Sequence, residues 1–111
     1  MRVIVCGGRD FAEREKLFRV LDGIGITTLI EGGCPTGADK LAKTWAKRKR
    51  IPVETFEPEW DLYGKAAGPR RNQRMIEEGK PDLVIGFRGG AGTRDCCERA
   101  ASFGVPVKRI E

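Results

Sequence analysis

Apolar residues along this chain follow two rhythms that take turns. Unbroken runs, Val3-Ile4-Val5 and Leu83-Val84-Ile85, read as strands covered on both faces, whereas Leu17, Phe18, Leu21 and Ile24, and then Leu41, Ala42, Trp45 and Ala46, recur at helical spacing. The pattern predicts strands near 2–6, 27–31, 53–56, 82–87 and 106–110, and helices near 12–23, 38–50, 69–79 and 93–103. Strict β-α alternation in 111 residues predicts one α/β domain spanning 1–111, with a five-stranded, mostly parallel sheet. The two apolar runs belong at its centre. Pro52 and Pro106 open the third and fifth strands, and proline is tolerated mainly at strand starts and edges, so those strands belong outside. Right-handed crossovers then give the doubly wound order 3-2-1-4-5, with the switch point between strands one and four.

Glycine-bearing turns punctuate this alternation: Gly7-Gly8-Arg9-Asp10, Glu31-Gly32-Gly33-Cys34, Gly64-Lys65-Ala66-Ala67-Gly68 and Gly89-Gly90-Ala91-Gly92-Thr93. Glycine permits close backbone approach and positive φ, and the helix that follows offers unpaired N–H groups to an anion. In a parallel sheet such turns share one edge, so a phosphate-binding crevice is expected at the switch point, flanked by Gly7-Gly8 and Gly89-Gly90. Neither G-x-G-x-x-G nor a Walker A loop is present. Arg9 can pair with a phosphate, while Asp10 followed by Glu13 also fits a capping box. Glu31 ends the second strand where a ribose hydroxyl is read in dinucleotide folds, and Asp39 sits in the first turn of the next helix, which favours an acid with or without a ligand. Trp60, Tyr63, Lys65, Arg71 and Asn72 make a candidate clamp, with Pro69 in the first turn of its helix. The irregular stretch 57–68 is long enough to be functional or mobile.

Composition narrows the chemistry. There is no histidine, so histidine general-base chemistry is excluded. The four cysteines show neither a disulfide framework nor metal-ligand spacing, and no metal is expected. A formal net charge of +5 favours anionic partners. The basic run Lys43, Lys47, Arg48, Lys49 and Arg50 reads either as dipole compensation on a solvated face or as a footprint for single-stranded nucleic acid, and Arg70, Arg71 and Arg74 form a second basic group. No apolar stretch of membrane-spanning length and no signal-peptide pattern occur, so a cytoplasmic protein without a membrane partner is expected. A homo-oligomer is left open.

The turns, taken with Trp-x-x-Tyr-Gly-Lys-Ala-Ala-Gly-Pro-x-Arg-Asn-x-Arg-Met from Trp60 to Met75, resemble the YspA-type branch of the SLOG superfamily over nearly the whole chain. That superfamily includes cytokinin-activating phosphoribohydrolases and the DNA-processing DprA proteins. The resemblance implies a Rossmann-like fold with a nucleotide-type ligand, such as an ADP-ribose or nucleoside monophosphate derivative, at the glycine loops. It implies a phosphate loop at Gly89, Gly90, Gly92 and Thr93. The hydrolase pattern Gly-Thr-x-x-Glu breaks here, because Cys96 stands where the acid belongs, Asp95 is turned by about 100° on the helix, and Arg88 replaces the usual proline. Binding or sensing is therefore expected ahead of catalysis. Glycosidic cleavage would need Glu31, Asp39 or Asp95 as a substitute acid. The expected ligand-binding set is Gly7, Gly8, Arg9, Asp10, Glu31, Gly32, Gly33, Gly37, Asp39, Lys65, Arg71, Asn72, Gly89, Gly90, Gly92 and Thr93.

Overall fold

The computed structural model describes residues 1–111 as an α/β domain in which every sheet pairing is parallel. Strands β1 (Arg2–Cys6), β2 (Thr28–Glu31), β3 (Val53–Thr55), β4 (Leu83–Gly86) and β5 (Val107–Arg109) lie in the order β3-β2-β1-β4-β5. The helices are α1 (Arg14–Asp22), α2 (Gly37–Arg48), the single turn α3 (Trp60–Tyr63), α4 (Ala67–Gly79) and α5 (Ala91–Ser102). The order and the edge positions of β3 and β5 are those expected from the sequence. Both prolines precede their strands and still join the ladder through their carbonyls: Pro52 O accepts from Leu29 N and Pro106 O from Val84 N, both at 2.9 Å. A missing N–H costs nothing where only an acceptor is used.

Alternation along β1 divides the core. Val3 and Val5 face one layer with Leu17, Leu21, Ala42 and Trp45 of α1 and α2, while Ile4 and Cys6 face the other with Met75, Ile76, Cys97 and Ala100 of α4 and α5. The sheet is thereby sandwiched between two helical layers, and its central strands β1 and β4 are apolar on both sides, whereas the edge strands carry Glu54, Thr55, Lys108 and Arg109.

Three local expectations need correction. Helix α1 begins at Arg14, two residues late, and no side chain caps it; Asp10 is exposed and Glu13 forms an ion pair with Arg88 at 3.1 Å instead of closing a capping box. Phe11 supplies the reason, since its ring is buried 5.2 Å from that of Phe87 and its N–H is drawn to Gly8 O at 3.1 Å, which prolongs the loop. The stretch 57–68 is largely ordered as α3 and a 3₁₀ turn, Gly64–Ala66, and α4 starts two residues early, with Pro69 still in its first turn. Finally, positive φ belongs to Gly33, Gly37, Gly64 and Gly104, not to Gly7, Gly8, Gly89, Gly90 or Gly92.

Candidate functional site

The carboxyl ends of the strands open into a crevice with two adjoining lobes. The first, about 530 Å³, lies at the switch point between β1 and β4; the second, about 920 Å³, extends toward α3. Arg9, Gly32, Cys34, Arg71, Asn72, Ala91 and Gly92 line both.

The loops around the first lobe are held by backbone bonds. Gly8 N donates to Arg88 O at 2.9 Å, and Gly8 O accepts from Phe11 N at 3.1 Å and from Ala38 N at 3.2 Å. The Thr36 hydroxyl donates to Arg9 O at 2.9 Å. The amino end of α2 is therefore filled by the chain's own β1 loop. Gly37 makes this possible: its φ is +71°, and a Cβ there would lie 2.6 Å from the Arg9 Cα. Gly89 plays the same part on the opposite side, where a Cβ would come 2.6 Å from Gly8 N.

Helix α5 is different. Its first internal bonds are accepted by Gly90 O and the carbonyls after it, and no protein acceptor meets the N–H groups of Gly90, Ala91, Gly92 and Thr93. All four residues line the first lobe. An α-helix always leaves its first amides without internal partners, and here they face a cavity.

Asn72, only 3% exposed, sets the position of that turn. Its side-chain amide donates to Gly92 O at 3.2 Å and to the Asp95 carboxylate at 2.9 Å, and its oxygen accepts from Arg71 Nε at 2.9 Å. The Arg71 guanidinium crosses to Gly32 O. Gly32 is a matter of space, for a Cβ would lie 2.7 Å from the Arg71 Cζ. Arg71 contacts only neutral oxygens here, so its charge is left to the crevice. The second basic group is thus split: Arg70 lies over the Tyr63 ring at 4.2 Å, and Arg74 pairs with Glu78 at 3.3 Å and Glu59 at 3.6 Å. Only Arg71 of the three lines the crevice.

The two expected carboxylates part company. Glu31 is buried, accepts from Gly33 N at 2.7 Å and from the Thr55 hydroxyl, and is absent from the walls of both lobes. Asp39 lines the first lobe and accepts from Cys34 N at 3.2 Å. Burial, reinforced by the Glu31 charge, pushes its carboxyl up to about 6, against the pull of the Cys34 N–H and Arg71.

Of the remaining expected residues, Gly7, Gly8, Arg9 and Asp10 line the first lobe, and Gly33 and Lys65 the second, together with the exposed Trp60. Gly37 and Gly89 line neither; they are packing glycines. Cys34 is not among the residues expected from the sequence, and Asp95 is expected there only as a substitute acid. Asp95 lines the second lobe and Cys34 both, and the only signal for Cys34 was its place directly after a strand-end glycine pair. The basic run is also dispersed. Lys49 pairs with Asp22 at 3.2 Å, Arg48 lies over Phe18 at 5.7 Å, Trp45 is buried, and Lys43 and Lys47 line a smaller hollow that shares Gly33, Cys34, Pro35 and Glu57 with the second lobe.

A family model for the YspA, cpYpsA-related SLOG family matches residues 1–63, which carry β1 to α3 and the first two glycine turns. The chain belongs to that family. A relative from Mycobacterium phage D29, the Gene 61 protein, is 31% identical over 119 aligned positions, which cover 96% of this chain and 93% of the relative. Membership of the SLOG family implies ligand binding of a nucleotide-related kind. No helix of this SLOG protein is long and apolar enough to cross a membrane.

Proposed function

We propose that the crevice binds a nucleotide-derived ligand, with a phosphate on the amino end of α5 and the remainder extending past Arg71 into the second lobe. The observation that carries this reading is the set of four unpartnered amides, Gly90 to Thr93, in the wall of a cavity that also holds the unneutralised Arg71. Backbone amides, a helix dipole and a guanidinium favour a compact anion. The ribose is then placed beside Asp39, because Glu31 has committed its oxygens to Gly33 and Thr55. Trp60 and Lys65 in the second lobe suit a base and a further negative group. Titration calorimetry against AMP, ADP-ribose, NAD and cyclic nucleotides tests it. Saturable binding that weakens at least tenfold in Arg71→Ala is expected, and no heat from any member at millimolar concentration refutes the reading.

Asp39 supports a second reading. A carboxyl raised to about 6 in the wall of the same lobe stays mostly protonated in mildly acidic solution and keeps a minor protonated fraction at neutrality, and only that protonated form can act as an acid assisting departure of a base from a glycosidic carbon. Chromatography of AMP or ADP-ribose after incubation would then show free adenine from the parent protein and none from Asp39→Asn. Equal release from both, or release from neither, rejects this assignment.

A further inference from the structure

The core beneath the crevice contains a feature that ligand binding does not use. Cys6, the last residue of β1, and Cys97, in the second turn of α5, place their sulfurs 3.9 Å apart although they are 91 positions apart in sequence. They meet because Gly86, the β4 residue paired with Cys6, has no side chain: a Cβ there would lie 2.8 Å from the Cys97 sulfur and 3.7 Å from that of Cys6. All four cysteines are free thiols. Each member of this pair also reaches a cavity wall, Cys6 in the first lobe and Cys97 in a separate cleft of about 380 Å³ that also holds Arg88 and Arg109. A small oxidant therefore has an approach from either side of the sheet edge.

We propose that Cys6 and Cys97 form an oxidisable dithiol, converted by a hydroperoxide to a disulfide that ties the end of β1 to α5 and so to the anion-binding turn. The Cys97 thiolate attacks the terminal oxygen of the hydroperoxide, the O–O bond breaks, and the alkoxide departs as alcohol after taking a proton. Cys97 is then a sulfenic acid. Cys6 gives up its proton and attacks the Cys97 sulfur, the S–O bond breaks, and water leaves. Two thiols and one hydroperoxide thus give one disulfide, one alcohol and one water. The environment divides the roles. A hydrogen bond from Cys6, helped by the Arg109 charge, lowers the Cys97 thiol to about 7, whereas hydrogen bonding to Cys96 and Cys97 and burial raise Cys6 well above the ordinary range. The first step is thereby assigned to Cys97. Thr93, one turn before Cys97, lines the first lobe, so drawing α5 toward β1 displaces the turn that carries the amides.

The test uses the full chain, reduced, treated with a small excess of hydrogen peroxide, then unfolded and alkylated before mass spectrometry. Two of the four thiols, Cys34 and Cys96, are expected to alkylate, and fragmentation of the digest should show Cys6 joined to Cys97. The Cys96→Ala variant should still form the bridge, and Cys6→Ala should not. Four alkylated thiols, oxidation confined to Cys34, or a bridge that disappears in Cys96→Ala would each overturn the proposal. Hydrogen exchange at Gly90 to Arg94 reports the coupling without any nucleotide. A rate changed at least threefold in the oxidised protein supports it, and unchanged exchange in a protein carrying the bridge refutes control of the turn.

Discussion

Replacing Gly37 by alanine should damage this protein far more than the same change at Gly92, although both glycines belong to turns of the same apparent type. At Gly37 the backbone has φ +71°, which costs an alanine roughly 1 kcal/mol. The added Cβ would also overlap the Gly8 carbonyl and lie 2.6 Å from the Arg9 Cα, both backbone atoms that cannot rotate away. Relieving the overlap means moving the β1 loop off α2, which breaks Ala38 N to Gly8 O and the Thr36 hydroxyl to Arg9 O. At about 1 kcal/mol for each bond the sum is about 3 kcal/mol, a large share of a typical ~5–15 kcal/mol for a domain. At Gly92 a Cβ meets nothing within 4 Å and the residue is helical, so alanine should be neutral or gain up to ~1 kcal/mol. Urea unfolding followed by tryptophan fluorescence reads both. With a slope of about 1.5 kcal/mol/M, the Gly37→Ala midpoint should fall by about 2 M while that of Gly92→Ala stays level or rises. A Gly37→Ala midpoint within about 0.5 M of the parent, or an equal fall in both variants, refutes the view that the β1 loop is clamped onto α2.

Gly90→Val should lose nucleotide binding and keep its fold, since φ is −99° and the site is open, whereas Gly8→Val should also lower the melting temperature, because its Cβ starts 3.2 Å from Arg88 O and the Gly89 Cα; retained AMP affinity in a folded Gly90→Val would reject the α5 phosphate site. Asn72→Leu should cost about 1–2 kcal/mol in urea, because it removes the part-buried bonds of the Asn72 amide to Arg71 Nε, Gly92 O and Asp95, and a loss under about 0.5 kcal/mol would show that Asn72 does not position the turn. Asp39 binds its proton more tightly folded, up to about 6, than at its ordinary 3.8, so its contribution falls as pH rises from about 4 to about 6 and amounts to about 3 kcal/mol. Asp39→Asn should flatten that slope in denaturation curves taken across the same window, and an unchanged slope would place the titration elsewhere.

Much of the fold was legible in the chain. Two unbroken apolar runs located the centre of the sheet and two prolines its edges, because coverage by neighbours and the loss of an N–H act on the residue itself and leave a mark at a known position. The same holds for the family motifs and for the clustering of glycines at one edge. The availability of those glycine turns was not legible. A helix start looks the same in sequence whether its amides are free, as at Ala91, or taken by a carbonyl thirty residues away, as at Ala38 and Gly8. Likewise the sequence grouped Arg70, Arg71 and Arg74 as one basic cluster, and helix geometry sent only Arg71 to the crevice while a tyrosine ring and two glutamates took the others. Glu31 and Asp39 looked alike as strand-end and helix-start acids; Thr55, brought in by β3, helped turn the first into a loop brace. Periodicity and turn chemistry are local and can be read along the chain, but whether a polar group keeps its hydrogen-bonding capacity depends on which distant segment packs against it, and only the tertiary structure decides that.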